Sequence, residues 1–340
     1  MSSSLIGYPE VVDRTQREIR EERVSHAYLV VGPQQVGKMV MALELARALN
    51  CEGPEKACGA CPHCEKVTGG THPDVQVIGL VKDQKGDRLR KEIGIDQVRA
   101  LQHDAGLHPY WGRYRVFIVD EAQRLSTEAA NCLLKTLEEP PPACIIILLA
   151  TDDRTLPQTV SSRCRRVQLR PLSRATVEAA LLEQGSGPEE ARLLARLSRG
   201  RMGWALEARK NGQLGGVRAD ALEDLNRAMS GNLRDRFRLA EEMASIYYRD
   251  REALDRKLQV WLGWWRDLLL IKGNFSQGIT NVDQEKALLD RATGLSLKDI
   301  SSYIKSIIST LEVLDRNVNP RMALEALMIE TPGQDTLAPA

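Results

Sequence analysis

Apolar and polar positions follow two regimes along this chain, and the change between them falls near Leu172. Before it, short apolar runs alternate with amphipathic stretches. Ala27-Tyr28-Leu29-Val30-Val31, Val75-Gln76-Val77-Ile78, Arg115-Val116-Phe117-Ile118-Val119 and Cys144-Ile145-Ile146-Ile147-Leu148-Leu149-Ala150 read as strands. The first, third and fourth are nearly continuous in apolar residues, the pattern of strands covered on both faces. Val11 to Glu22, Lys38 to Leu49, Ile95 to His103 and Thr127 to Leu137 place apolar residues at helical spacing. Strands alternating with helices imply right-handed crossovers and a parallel α/β sheet.

Beyond Leu172 no strong strand run follows. Thr176 to Gln184, Glu189 to Ser198 and Trp204 to Asn211 predict a small helical unit, closed off by the glycine-rich Asn211-Gly212-Gln213-Leu214-Gly215-Gly216. Helices are then expected at Ala219 to Ser230, Arg234 to Tyr248, Arg251 to Ile271, Val282 to Gly294, Leu297 to Asn317 and Pro320 to Met328. The 340 residues exceed the roughly 250–300 at which one hydrophobic core stops growing. The expected division is an α/β domain over 1–170, a helical lid over 171–212, an all-α domain over 217–330 and a frayed tail over 331–340. The charged stretch Lys82 to Arg90 reads as a solvated loop, and Ser161 to Arg166 as a basic turn after the last strand.

Charge adds little to this picture. Lysine plus arginine (47) nearly balances aspartate plus glutamate (46), so any contact with nucleic acid must come from a local patch or from a partner. The first residues lack a basic segment followed by an apolar run, and Ile145 to Ala150 falls far short of the roughly 20 apolar residues that span a bilayer. The expectation is a cytoplasmic protein with no membrane partner.

Chemistry enters between the first strand and the helix after it. Gly32-Pro33-Gln34-Gln35-Val36-Gly37-Lys38-Met39 has the glycines that turn backbone N–H groups onto a polyphosphate and the lysine that reaches its outer phosphates. A Ser or Thr hydroxyl that would hold Mg²⁺ is replaced by Met39, whose thioether is a poor ligand for a hard cation. Asp120-Glu121 ends the third strand, where an acidic pair can bind Mg²⁺ and polarise water, and Thr151 follows the fourth. ATP or ADP with Mg²⁺ is thus a candidate ligand of a damaged site.

Cys51, Cys58, Cys61 and Cys64 form C-x6-C-x2-C-x2-C, a spacing that suits one closed, structural Zn²⁺. His63 and His72 read as surface residues, and Cys132 and Cys144 as small buried hydrophobes. With only Lys56 and Lys66 nearby, the cysteine segment is a poor nucleic-acid binder. Trp261-Leu262-Gly263-Trp264-Trp265 reads as helix packing, within the bundle or against another subunit.

These segments together resemble a known family. His26-Ala27-Tyr28-Leu29 before the loop, the four-cysteine insert, Ile95-Asp96-Gln97-Val98-Arg99, Asp120-Glu121-Ala122, Leu133-Leu134-Lys135-Thr136-Leu137-Glu138-Glu139-Pro140-Pro141 and Ser162-Arg163-Cys164 look like the bacterial DNA polymerase III clamp-loader subunits, which are AAA+ proteins. The resemblance runs from Ile6 to about Leu206. It implies a P-loop sheet with an inserted zinc module, a lid and a helical collar. It also implies a hetero-pentameric ring with gamma/tau and delta subunits that loads a sliding clamp onto primed DNA. Motor subunits of the family keep Ser or Thr after the lysine and carry a second sensor arginine, where this chain has Met39 and Gly203. The resemblance therefore favours the delta-prime branch, with Arg163 as an arginine finger offered in trans; the alternative is a working gamma/tau-like ATPase.

Overall fold

The structure, a computed structural model, describes residues 5–54, 56–81, 90–210, 216–314, 316 and 318–332. Most of the Lys82 to Arg90 insert, the glycine-rich break at 211–215 and the tail from 333 lie outside the described residues. The chain divides into two units, one formed by 1–180 with 200–204, the other by 181–199 with 205–340.

In chain order the first unit begins α1 (Pro9–Arg20), β1 (Ala27–Val31), α2 (Lys38–Asn50), α3 (Pro62–Thr68), β2 (Val75–Ile78), α4 (Ile95–Ala105) and β3 (Arg115–Val119). It continues with α5 (Thr127–Glu138), β4 (Cys144–Ala150), α6 (Gln158–Ser161) and β5 (Arg165–Gln168), before α7 (Arg174–Glu183). The sheet is parallel throughout, in the order β2-β3-β4-β1-β5. Alternate residues of each inner strand face opposite layers. Leu29, Phe117, Ile146 and Leu148 meet α4 and α5 through Leu101 and Leu133, while Tyr28, Val30, Ile118 and Ile147 meet α1 and α2 through Ile19, Met41 and Leu45. Both faces are covered, which is why these strands are apolar without alternation.

β5 corrects the expectation of a basic turn over Ser161 to Arg166. Arg165 and Arg166 extend the sheet edge beside Tyr28 and Leu29. Only Val167 of this strand is buried, so no apolar run marks it. The short α3 was likewise invisible to periodicity.

The remaining helices are α8 (Pro188–Leu197), α9 (Met202–Lys210), α10 (Val217–Ser230), α11 (Leu233–Arg249), α12 (Arg251–Lys272), α13 (Glu285–Gly294), α14 (Leu297–Leu314) and α15 (Pro320–Ile329). The spine of the second unit is α12. Trp261 and Trp265 are fully buried in one core with Leu225, Met243, Ile300 and Leu324. The Trp261 indole donates to the Ala221 carbonyl at 2.7 Å, and the Trp265 ring lies 4.7 Å from Tyr303. Both tryptophans are packing residues within the bundle, Trp261 with its indole N–H satisfied and Trp265 with its buried N–H left without a hydrogen-bond partner among the described residues. Among the described residues no helix is long and apolar enough to cross a membrane.

Candidate functional site

The register places the candidate nucleotide residues at one edge of the sheet. Val31 pairs with Ala150 and Val119 with Leu148, so the loop after β1, Thr151 after β4 and Asp120 after β3 lie side by side. Ligands of open α/β sheets bind at these carboxyl ends. Glu121 adopts a left-handed backbone (φ 48°, ψ 48°), costly for a residue with a side chain, and its N–H donates to the Asp120 carboxylate at 2.9 Å. Gly37, at φ 115°, makes the turn from loop into α2 that only glycine takes without strain.

The loop is engaged with its own chain. Lys38 Nζ donates to the carbonyls of Gly32 (2.8 Å) and Pro33 (2.9 Å). Burial lowers the lysine's affinity for its proton, while Asp120 and Glu121 act in the opposite direction. Met39 is half-buried against the hydrophobic layer beneath the loop and offers a thioether where a magnesium-binding hydroxyl would stand. That donor set does not fit Mg²⁺. On the outer side, Leu5 lies beside Gly37, and the Tyr8 hydroxyl donates to the Arg170 carbonyl at 2.6 Å.

Gly203 closes the arrangement. Its N–H donates to the Gln35 carbonyl at 2.9 Å, and a Cβ built there would sit 2.7 Å from that oxygen. Any side chain at this position, an arginine included, would push the loop aside. Arg201, two residues earlier, lies 6.0 Å from the Trp204 ring instead, with burial weakening its hold on its proton.

Arg163 follows α6 at the other end of the arginine-rich turn, half exposed. Its guanidinium donates from Nη1 to the Thr159 carbonyl at 2.8 Å and pairs through Nη2 with Glu138 at 2.7 Å. Arg165 and Arg166 pair separately, with Glu18 and with Asp153.

The four cysteines converge. Their sulfurs all lie within 4.8 Å of one another, against about 3.8 Å between thiolates of a tetrahedral zinc site with bonds of roughly 2.3 Å. The Gly53 N–H donates to Cys51 Sγ at 3.3 Å and the Cys61 N–H to Cys58 Sγ at 3.4 Å. Burial opposes ionisation of Cys61, yet the backbone donors of Cys64 and Glu52 and the neighbouring thiols bring it down to about 6. Ala57 (φ 61°) and Gly59 (φ 76°) make the tight knuckles between ligands. This donor set fits a structural zinc ion, with Cys51, Cys58, Cys61 and Cys64 as its ligands.

His63 and His72 are not surface residues. They are buried, at 1% and 3% exposure, because Cys61 and Cys64 turn one side of α3 toward the cluster and His63 falls on the other. The Asp74 N–H donates to His72 Nδ1 at 3.1 Å. His72 Nε2 then donates to His63 Nδ1 (2.9 Å), and His63 Nε2 to Glu52 (3.1 Å), a chain that both imidazoles complete while neutral. Burial, then the proximity of His63, disfavours the charged form of His72. The Trp111 ring stacks on His63 at 4.0 Å. Sequence reasoning missed this network; the alternation of cysteine and non-cysteine faces on a helix at 61–64 was the available signal.

Asp74 anchors the loop that carries Trp111. Its carboxylate accepts from the N–H groups of Tyr110 (2.6 Å), Trp111 (2.8 Å) and Gly112 (2.7 Å). Burial alone would raise its pKa, but the three amides outweigh it and hold the carboxyl below its usual range. A depressed native pKa contributes stability above the unfolded value of about 3.9 and loses it as pH falls through the native one. Asp74→Asn is thus expected to cost about 2 kcal/mol at pH 7. The gap from the unaltered chain should close as pH falls through the depressed native pKa, as read from thermal melts across pH.

The parallel five-stranded sheet, covered by helices on both faces and carrying this loop and acidic pair at its carboxyl ends, defines an α/β protein with the layout of a nucleotide-binding fold. Residues 7–173 match the family model described as DNA polymerase III, delta subunit. DNA polymerase III subunit delta' of Bacillus subtilis is 26% identical over 322 residues, covering 94% of this chain and 95% of that one. DNA polymerase III subunit tau of Escherichia coli is 33% identical over 212 residues, but that match takes in 60% of this chain and only 32% of tau. A gamma subunit-related protein from Thermotoga maritima, solved as a crystal structure, superposes with a TM-score of 0.50 at 19% identity over 94% of this chain and 98% of its own, which shows the shared fold. These matches make the chain most like the clamp-loader subunits of DNA polymerase III, with delta-prime a relative matched along nearly the whole length.

Proposed function

We propose that this protein is the delta-prime-like member of a clamp-loader ring. It assembles with gamma/tau and delta subunits, helps to load the sliding clamp onto primed DNA, and offers Arg163 to a neighbouring subunit's ATP site. It hydrolyses little or no ATP itself. The observation that carries the reading is the Gly203–Gln35 contact: a glycine amide is bonded to the phosphate loop where a motor subunit needs an arginine side chain. The similarity to delta-prime along both chains supports the same assignment. Lys38, Asp120, Glu121 and Thr151 are then remnants of a nucleotide site in which Met39 no longer supports Mg²⁺.

The competing reading is a working ATPase in which Gly37, Lys38, Asp120 and Glu121 suffice. ATP turnover by the isolated chain, before and after Met39→Thr, separates the two. The expected result is no turnover above background in either protein, because restoring the hydroxyl leaves Gly203 against the loop. Steady hydrolysis by the unaltered chain would reject the proposal.

A further inference from the structure

We infer that Glu138 is a positioning residue for Arg163, setting the pose in which the guanidinium is presented to the neighbouring site; this rests on the arginine-finger reading above. Arg163 leaves the chain just after the four-residue α6, and its side chain is 37% exposed. Packing therefore does not fix its rotamer. Two polar contacts do. The Thr159 carbonyl is part of the backbone of α6 and moves with Arg163 itself. Glu138 is different, because it is the last residue of α5, a helix seated on the sheet through Ala129, Ala130, Leu133 and Leu137. The 2.7 Å ion pair thus references a flexible arginine to a rigid element.

A guanidinium has five N–H donors, and these contacts use Nη1 and Nη2 once each, so donors remain for phosphate oxygens. The carboxylate can hold the fork without exhausting it. The α5 C-terminus also carries the negative end of the helix dipole, which favours a cation at the same place. Arg165 and Arg166 have other carboxylates, Glu18 and Asp153, so Glu138 serves Arg163 specifically within this turn. The sequence shows Glu138 only as part of an acidic pair before three prolines; the fold brings it to the arginine.

The test is the ATPase of the reconstituted ring carrying Glu138→Gln, Glu138→Asp, Arg163→Ala or Glu138→Gln with Arg163→Ala. Glu138→Gln should lower kcat roughly two- to fivefold, the range an exposed ion pair supplies, with KM for ATP unchanged. Glu138→Asp should fall between it and the unaltered chain. In the Arg163→Ala background Glu138→Gln should have no further effect, whereas a merely structural role would lower the rate in both backgrounds and shift the melting temperature of the isolated chain. An unchanged or raised kcat in Glu138→Gln, or an equal loss in both backgrounds, overturns the inference while the finger stands. If Arg163→Ala itself leaves the rate untouched, the finger reading fails, and the Glu138 role fails with it.

Discussion

Arg163→Ala is expected to leave the ring assembled and to lower ATP turnover at the site it faces by on the order of 10³-fold. The size follows from the chemistry of phosphoryl transfer, in which charge spreads over the equatorial oxygens and a planar, permanently charged guanidinium answers it. That factor corresponds to about 4 kcal/mol of transition-state stabilisation. The same substitution should hardly change folding. The side chain is 37% exposed and its partner Glu138 is 51% exposed, and an exposed pair of this kind contributes at most about 1 kcal/mol. Loss of rate with an unaltered melting temperature and an unaltered elution volume for the complex would therefore isolate the finger. Arg163→Lys should recover little, since an ammonium keeps the charge and loses the fork. A reconstituted complex that hydrolyses ATP at its full rate with Arg163→Ala would remove Arg163 from the chemistry.

The first unit was legible where physics is local. β1, β3 and β4 are apolar on both faces because helices cover both, and their boundaries can be read from composition. β5 could not be read that way. It is an edge strand with one buried residue, and its arginines are held by Glu18 and Asp153, which only the fold brings near. The phosphate loop was legible from its glycines, and the damage at Met39 from one residue. Its closure was not, because Gly203, Leu5 and Tyr8 come from distant parts of the chain. The cysteine cluster shows the same division. Spacing alone brings four thiols together, whereas the burial of His63 and His72 depends on Trp111, Glu52 and Asp74, none of which is marked by a motif.

About one equivalent of zinc per chain is expected to survive dialysis, and Cys64→Ser is expected to abolish it and to destabilise the first unit by at least about 3 kcal/mol. The cluster ties the end of α2 to the start of α3, adding to the packing of Val67 against Leu45 and Leu49. Cys51 ends α2, whereas Cys61 precedes α3 and Cys64 is fully buried within it. The segment between them turns through two left-handed residues, Ala57 and Gly59, and has few apolar side chains to bury. Apart from Ala57 against the layer beneath and hydrogen bonds at Lys56, ligand bonds to a metal would supply its order. A loss of this size lowers Tm by roughly 6–12 °C in a unit of this length. Acid should act in the same direction as the mutation, because each ligand must shed its proton to bind. Burial pushes the Cys64 thiol up while its neighbours bring Cys61 down, so protons compete with the metal for this set of ligands, and a chelator should strip it faster at pH 5 than at pH 7. Trp111 offers a second readout. Its ring stacks on His63, one residue before Cys64, so metal removal should change tryptophan emission in step with the loss of zinc. A protein that purifies without zinc, or whose melting and emission are indifferent to Cys64→Ser, would show that the four thiols are held by the fold and not by a metal.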